Sequence, residues 1–153
     1  MVYIPKKEKL EYEKVLIDEW INGEIVDVQE FKDVEQQYTN DEGEVDVRRV
    51  TKVRFKFNLE EYVYGHYSKK MTASMNEKSN LFKFLRQIYG DRLLPDIAVD
   101  LDKLKGLKVK TMWDEVTLPN DNIFQWTDKI RPLENNLPAI WDVEEAKEDT
   151  SFK

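Results

Sequence analysis

The residues from Arg49 to Leu59 alternate between apolar and polar side chains with a period of two. The apolar members share one face of a predicted strand: Val53, Phe55, Phe57 and Leu59. The other face carries three cations: Lys52, Arg54 and Lys56. Alternation of this kind is typical of a strand whose one side packs on a core while its other side meets solvent. It predicts a sheet with an exposed basic face.

Four other segments carry strand patterns, and one carries a helix pattern. Strands are predicted at 21–28, with a possible extension to residue 31, and at 66–75, 107–113 and 123–130. A turn is predicted at 36–44. A helix is predicted from Asn80 to Tyr89, because apolar residues recur there at helical spacing. Ser79 is its expected N-cap, and Gly90 is the expected C′ glycine just beyond its last turn.

The order of these elements is three strands, one helix and two strands. Five short strands need either a covering layer or closure of the sheet to be stable. We therefore expect a mainly β protein, namely a five-stranded barrel of the oligonucleotide/oligosaccharide-binding (OB) type with one helix between strands 3 and 4. The alternative is a small α+β sheet with the helix across one face.

The length of 153 residues suits one domain. We predict a flexible N-terminal arm at 1–14, the folded domain at 15–133 and an acidic C-terminal tail at 134–153. The net charge is −7, of which the tail contributes −4 from six acids and two bases. The body, with 25 acids and 22 bases, carries the remaining −3 and is nearly balanced.

Several classes of chemistry find no support in the residues. The chain has no cysteine and one histidine, His66, which we expect at the surface near the groove. Acid pairs such as Asp100 with Asp102 are expected by chance in a chain this rich in carboxylates. We predict no catalytic site, no metal and no cofactor, and hence no enzyme. Because no apolar run or signal segment is visible, we expect a cytoplasmic protein without membrane contact.

Four stretches together resemble small phage and prokaryotic single-stranded-DNA-binding proteins with an OB fold. They are Lys52–Phe57, Asn76–Gly90, Asp102–Val109 and Asn122–Pro132, so that the resemblance covers roughly 50–132. It implies a domain that binds single-stranded DNA during replication or recombination. It also implies an acidic tail that recruits replication or recombination proteins, although the final residue, Lys153, departs from the acidic-aromatic tip of such tails.

Single-strand binders combine positive charge along a groove with aromatic faces on which bases stack. In an OB barrel this groove normally follows strands 2 and 3. The predicted nucleic-acid-binding residues are Lys52, Arg54, Lys56, Tyr64, Tyr67, Lys69, Lys70 and Trp126. The alternative for the cations is a solvated strand face, and for Tyr67, Phe124 and Trp126 it is packing in the core or at its rim. Five other large apolar residues are assigned to the core: Phe55, Phe57, Phe84, Leu85 and Trp113.

Two functions follow from these patterns. The first is binding of single-stranded DNA with little sequence preference and a steep dependence on salt. The second is a protein–protein interaction module, such as a phage accessory or assembly factor, which the net acidity favours. The residues do not distinguish DNA from RNA and do not give the oligomeric state.

Overall fold

The computed structural model describes residues 14–142. This part of the chain contains six strands, one α-helix and two short 3-10 helices. The strands are β1 Trp20–Thr39, β2 Val45–Leu59, β3 His66–Tyr67, β4 Met71–Thr72, β5 Lys108–Thr117 and β6 Ile123–Pro132. Helix α1 spans Asn80–Tyr89, and the 3-10 helices span Gly90–Arg92 and Leu101–Leu104.

The strands form one antiparallel sheet in the order β3-β2-β1-β5-β6, with β4 also pairing with β2. The sheet does not close. Closure would require the β3 end of the sheet to pair with β6. Between these two ends, the described residues form only one isolated parallel bridge, from Ser68 to Thr127. A mainly β fold with one helix after the third and fourth strands is therefore confirmed, while closure into a barrel is not.

The predicted third strand, 66–75, is wrong as a continuous element. Its pairing with β2 shifts by one residue between Tyr67, opposite Lys56, and Met71, opposite Val53. A one-residue shift of this kind turns the following side chains to the opposite face. His66 and Met71 are buried, whereas Tyr67 is half-buried. The break lies where the Lys69 N–H leaves β2 and donates to the Thr127 carbonyl at 3.1 Å.

The first two strands are longer than predicted, because the turn between them is tighter. The Asn40 side chain accepts hydrogen bonds from the N–H groups of Glu42 and Glu44, both at 2.9 Å. Gly43 has a φ of 82°, which a residue without Cβ adopts at little cost. The reversal is therefore complete within a few residues, and 36–39, predicted as part of the turn, pair with 45–48.

Helix α1 confirms the predicted range and both of its ends. The Ser79 hydroxyl accepts the Phe82 N–H at 3.1 Å, and Gly90 ends the helix with a φ of 65°. The Gln87 side chain attaches the helix to β6, since its amide donates to the Asp128 carbonyl and accepts the Ile130 N–H. The helix thus lies beside β6, the last strand of the sheet, and packs on the core face of the sheet.

The core lies between the sheet and α1. All five residues assigned to it from the sequence are buried: Phe55, Phe57, Phe84, Leu85 and Trp113. The expected surface position of His66 is wrong. His66 is only 4% exposed, and its ring lies between Tyr62 and Trp113 with centroid distances of 5.6 and 5.8 Å. Because β3 begins in register with Phe57, its first side chain points into the core.

Both described ends of the chain are attached to the sheet or the helix. Val15 exchanges two hydrogen bonds with the side chain of Gln125 on β6. Near the other end, Ile140 is buried and Trp141 packs edge-on against Tyr89 at 5.0 Å. The segment predicted as an acidic tail thus includes residues that pack on the core. Its remainder, 143–153, lies outside the described residues, as do 1–13 of the predicted arm.

Within residues 14–142, no helix combines the length and the apolar character needed to cross a membrane.

Candidate functional site

The outer face of β2 presents Arg54 between two aromatic rings. The guanidinium carbon of Arg54 lies 3.9 Å from the ring centroid of Tyr67 and 5.2 Å from that of Phe31. Its Nε–H donates to the side-chain oxygen of Gln29, its partner on β1, at 2.7 Å. The Lys70 ammonium lies over the same Phe31 ring at 4.3 Å. Two cations and two rings therefore form one continuous patch.

A second aromatic pair lies on β6. The rings of Phe124 and Trp126 stack with a centroid distance of 5.9 Å and an interplanar angle of 22°. Phe124 is 53% exposed, which is unusual for a ring of this size. The Lys69 ammonium lies 5.7 Å from the Trp126 ring. This pair repeats the combination of exposed ring and cation seen around Arg54.

The two groups face each other across an open cleft of about 550 Å³, which we call the basic-aromatic cleft. One wall is Arg54 with residues 65–70, and the other is formed by 123–125 on β6. The walls lie close together because Ser68 and Lys69 bond to β6 at Thr127. The same irregularity that breaks the predicted third strand therefore brings the two aromatic groups together.

Lys56 lies at the edge of this cleft. A Cβ built on Gly65 would come within 2.3 Å of the Lys56 Cε atom, so the lysine chain lies directly across the glycine. Gly65 itself lines the cleft. The absence of a side chain at residue 65 therefore lets the Lys56 chain cross the cleft wall.

The cations of the predicted site form no ion pair with the acids that the structure describes. Five cations belong to the predicted site: Lys52, Arg54, Lys56, Lys69 and Lys70. Within residues 14–142, no carboxylate lies within 4.0 Å of their side-chain nitrogens. Other cations of the chain do form ion pairs. Arg48, on the same face of β2, lies 2.9 Å from Asp46, and this hydrogen bond raises the pKa of its guanidinium.

The structure brings together part of the predicted site. Four predicted residues line the cleft: Arg54, Tyr67, Lys69 and Lys70. Trp126 supports Phe124, and Lys56 borders the wall. Lys52 and Tyr64 do not line the cleft. Tyr64 directly precedes the lining residue Gly65, and its side chain is 39% exposed.

Sequence reasoning did not place Phe31 or Gln29 in the site. Both lie on β1, where Phe31 pairs with Lys52 and Gln29 pairs with Arg54. The register shift between Ile25 and Asp27 hides this relationship, because it inserts a residue in β1 and so changes which side chains share a face. Phe124 has a visible signal in the sequence, namely its i, i+2 spacing from Trp126, but this spacing fits binding and core packing equally.

The described residues contain no group of three or more His, Asp or Glu side chains arranged to hold a metal ion. Comparison with known proteins gives no relative: no family model matches the chain, and no curated protein and no solved structure matches it significantly.

Proposed function

We propose that this chain binds single-stranded DNA in the basic-aromatic cleft, with little preference for sequence. The observation that carries the proposal is the position of Arg54, Lys69 and Lys70, which lie over aromatic rings and form no ion pair within residues 14–142. Such an arrangement offers charge to phosphates and flat faces to bases, the two requirements of single-strand binding. A duplex keeps its bases stacked and has no ring faces to offer the cleft.

The proposal includes an OB-type barrel. The strand order, the helix between β4 and β5, and the Ser68–Thr127 bridge between the two ends of the sheet all support it. In such a barrel the ligand lies on strands 2 and 3 beside the loop between the last two strands. The cleft has this position, since its walls are Arg54 on β2, the β3 region and the start of β6. A role in replication or recombination stays a prediction from the resemblance.

The direct test is fluorescence anisotropy with a labelled oligo-dT at two salt concentrations. Binding should weaken steeply between 50 and 200 mM salt, by roughly tenfold to a hundredfold if three to five phosphates are contacted. Duplex DNA should bind much more weakly, and an oligo-U arm compares RNA with DNA. No binding of any oligonucleotide at 50 mM salt would contradict the proposal.

A variant pair localises binding to the cleft. Phe124→Ala should weaken binding about tenfold, because one stacked base contributes roughly 1–3 kcal/mol. Leu133→Ala is the matched control, since Leu133 is also an exposed apolar residue but follows the far end of β6. Equal effects of both substitutions would place the ligand elsewhere.

A protein–protein interaction module is the competing function. The exposed apolar side chains at the tip of the β5–β6 hairpin favour it: Val116, Leu118, Ile123 and Phe124. Under this alternative, the same hairpin binds a protein and the cations only border the contact. The oligonucleotide titration separates the two functions.

A further inference from the structure

In the outer half of β2, one edge pairs with no other strand of the described part of the chain. β1 pairs with one side of β2 along the whole strand. On the other side, β4 pairs with Lys52 and Val53, and Ala73 donates to the Thr51 carbonyl. Among residues 14–142, no strand pairs with this second side of Val45–Val50. We call this stretch the β2 edge.

Exposed edges are templates for pairing with another chain, and proteins usually protect them. The outer half of β1 is protected: its pairing shifts between Phe31 and Val34, Asp33 has a φ of 56°, and Lys32 is exposed. The β2 edge has no such interruption, since β2 runs without an inserted residue and contains no proline there, and its exposed charges are of both signs. It also exposes Val45 and Val47.

The β2 edge is complementary to itself in charge. Asp46 and Arg48 lie on one face of the strand, and Val45 and Val47 on the other, because successive side chains alternate. If two copies pair antiparallel about Val47, each Asp46 lies opposite the Arg48 of the other copy. Val47 then meets the second copy's Val47. Opposite charges and apolar side chains at directly opposed positions stabilise a strand pair.

We propose that the β2 edge pairs with the β2 edge of a second copy of this chain, antiparallel and centred on Val47. The pairing extends over residues 44–50 of both copies and ends where β4 begins. It widens a two-stranded hairpin arm, which is marginal by itself, into four strands. The contact is isologous, as a two-fold dimer requires. This inference is independent of what the basic-aromatic cleft binds.

The first test uses the absence of native cysteine. In the dimer, opposed residues have Cα atoms about 4.5–5.5 Å apart, so Val47→Cys should form an intermolecular disulfide under mild oxidation. Gln37→Cys is the matched control, since Gln37 pairs with Val47 on β1. Two copies of Gln37 would be about 14 Å apart across three strand spacings, too far for a bond.

The second test uses charge. Sedimentation of the unmodified chain should show a dimer that dissociates on dilution. Asp46→Arg and Arg48→Asp should each weaken this dimer at least tenfold, because like charges then oppose each other. Mixing the two variants should restore association, since each cation of one chain then faces an acid of the other. The double variant should associate with itself.

A chain that stays monomeric throughout the concentration series would overturn the proposal. So would equal cross-linking of the Val47→Cys and Gln37→Cys variants. A dimer that ignores both charge variants would show that the copies meet elsewhere and would likewise overturn it. Circular dichroism of each variant confirms that the sheet is intact before these comparisons are made.

Discussion

The β1–β2 hairpin has two halves with the same alternation and opposite surroundings. In its base, where 23–31 pair with 52–59, the inward side chains of β2 are buried, and Phe55 stacks on Phe84 of α1. In its arm, where 34–39 pair with 45–50, the same inward face is open to solvent. The alternation of side chains along β2 is continuous, but the residues that cover its inward face extend over the base only. Alternation thus fixes which residues share a face and leaves open whether that face is buried.

The outer face shows the same contrast in charge. Arg54, in the base, contacts two rings and the neutral Gln29. Arg48, in the arm, contacts Asp46 and the Tyr38 ring. Two arginines on one face of one strand therefore differ in whether their charge is available to a ligand.

The largest expected effect compares stability in the two halves. Phe55 is fully buried and stacks on Phe84 at 5.2 Å. Phe55→Ala should lower the free energy of unfolding by about 3–5 kcal/mol, because it removes packed area and leaves a cavity. Val47→Ala, on the same face in the arm, should change it by less than about 0.5 kcal/mol at a dilution where the chain is monomeric. Urea denaturation monitored by tryptophan fluorescence measures both, and similar losses would mean that the arm is part of the cooperative core.

The next effect compares the two arginines in binding. Under the proposed function, Arg54→Gln should weaken binding of oligo-dT about tenfold and reduce the slope of log affinity against log salt by about 1. Arg48→Gln should change affinity less than about twofold, since Asp46 already compensates its charge. Anisotropy titrations at several salt concentrations give both quantities. A larger effect of Arg48→Gln would extend the binding surface onto the arm.

The sequence was sufficient to predict the elements in which local signals agree. For α1, the Ser79 cap, the apolar spacing and Gly90 all indicate the same bounds, and the structure has them. Prediction failed at the inserted residues of β1 and after Tyr67, where pairing with a distant strand decides the register. Phe31 was missed as a site residue and the surface position expected for His66 was wrong, because the faces of both depend on partner strands that local alternation does not reveal.

The C-terminal segment gives a further contrast with the arm, because it is attached to the core through Tyr89. The Tyr89 hydroxyl donates to the Pro138 carbonyl at 2.5 Å. Tyr89→Phe should lower the free energy of unfolding by about 1 kcal/mol, since the carbonyl loses its donor. Thermal denaturation at pH 7 measures this loss. An unchanged stability would mean that water replaces the hydroxyl and that the segment is held by packing alone.

The same residue predicts a dependence on alkaline pH. Burial raises the pKa of Tyr89 from 10.0 to about 12. The unfolded chain therefore loses this proton first, and the stability that the neutral phenol contributes is complete below pH 10 and is lost as pH rises towards 12. The unfolding free energy of the unmodified chain should fall more steeply over this range than that of the Tyr89→Phe variant. Parallel curves would contradict the assignment.

The smallest effect concerns the edge of the basic-aromatic cleft, where the side chain of Lys56 passes over the backbone of Gly65. In Gly65→Ala the new Cβ meets the flexible end of the lysine, so stability should change by less than about 0.5 kcal/mol. The displaced ammonium should lower affinity for oligo-dT about threefold, and Lys56→Ala should give a similar loss. The double variant should lose no more than either single one, because both remove the same contact. Additive losses would show that Gly65 acts through the backbone of the cleft wall and not through Lys56.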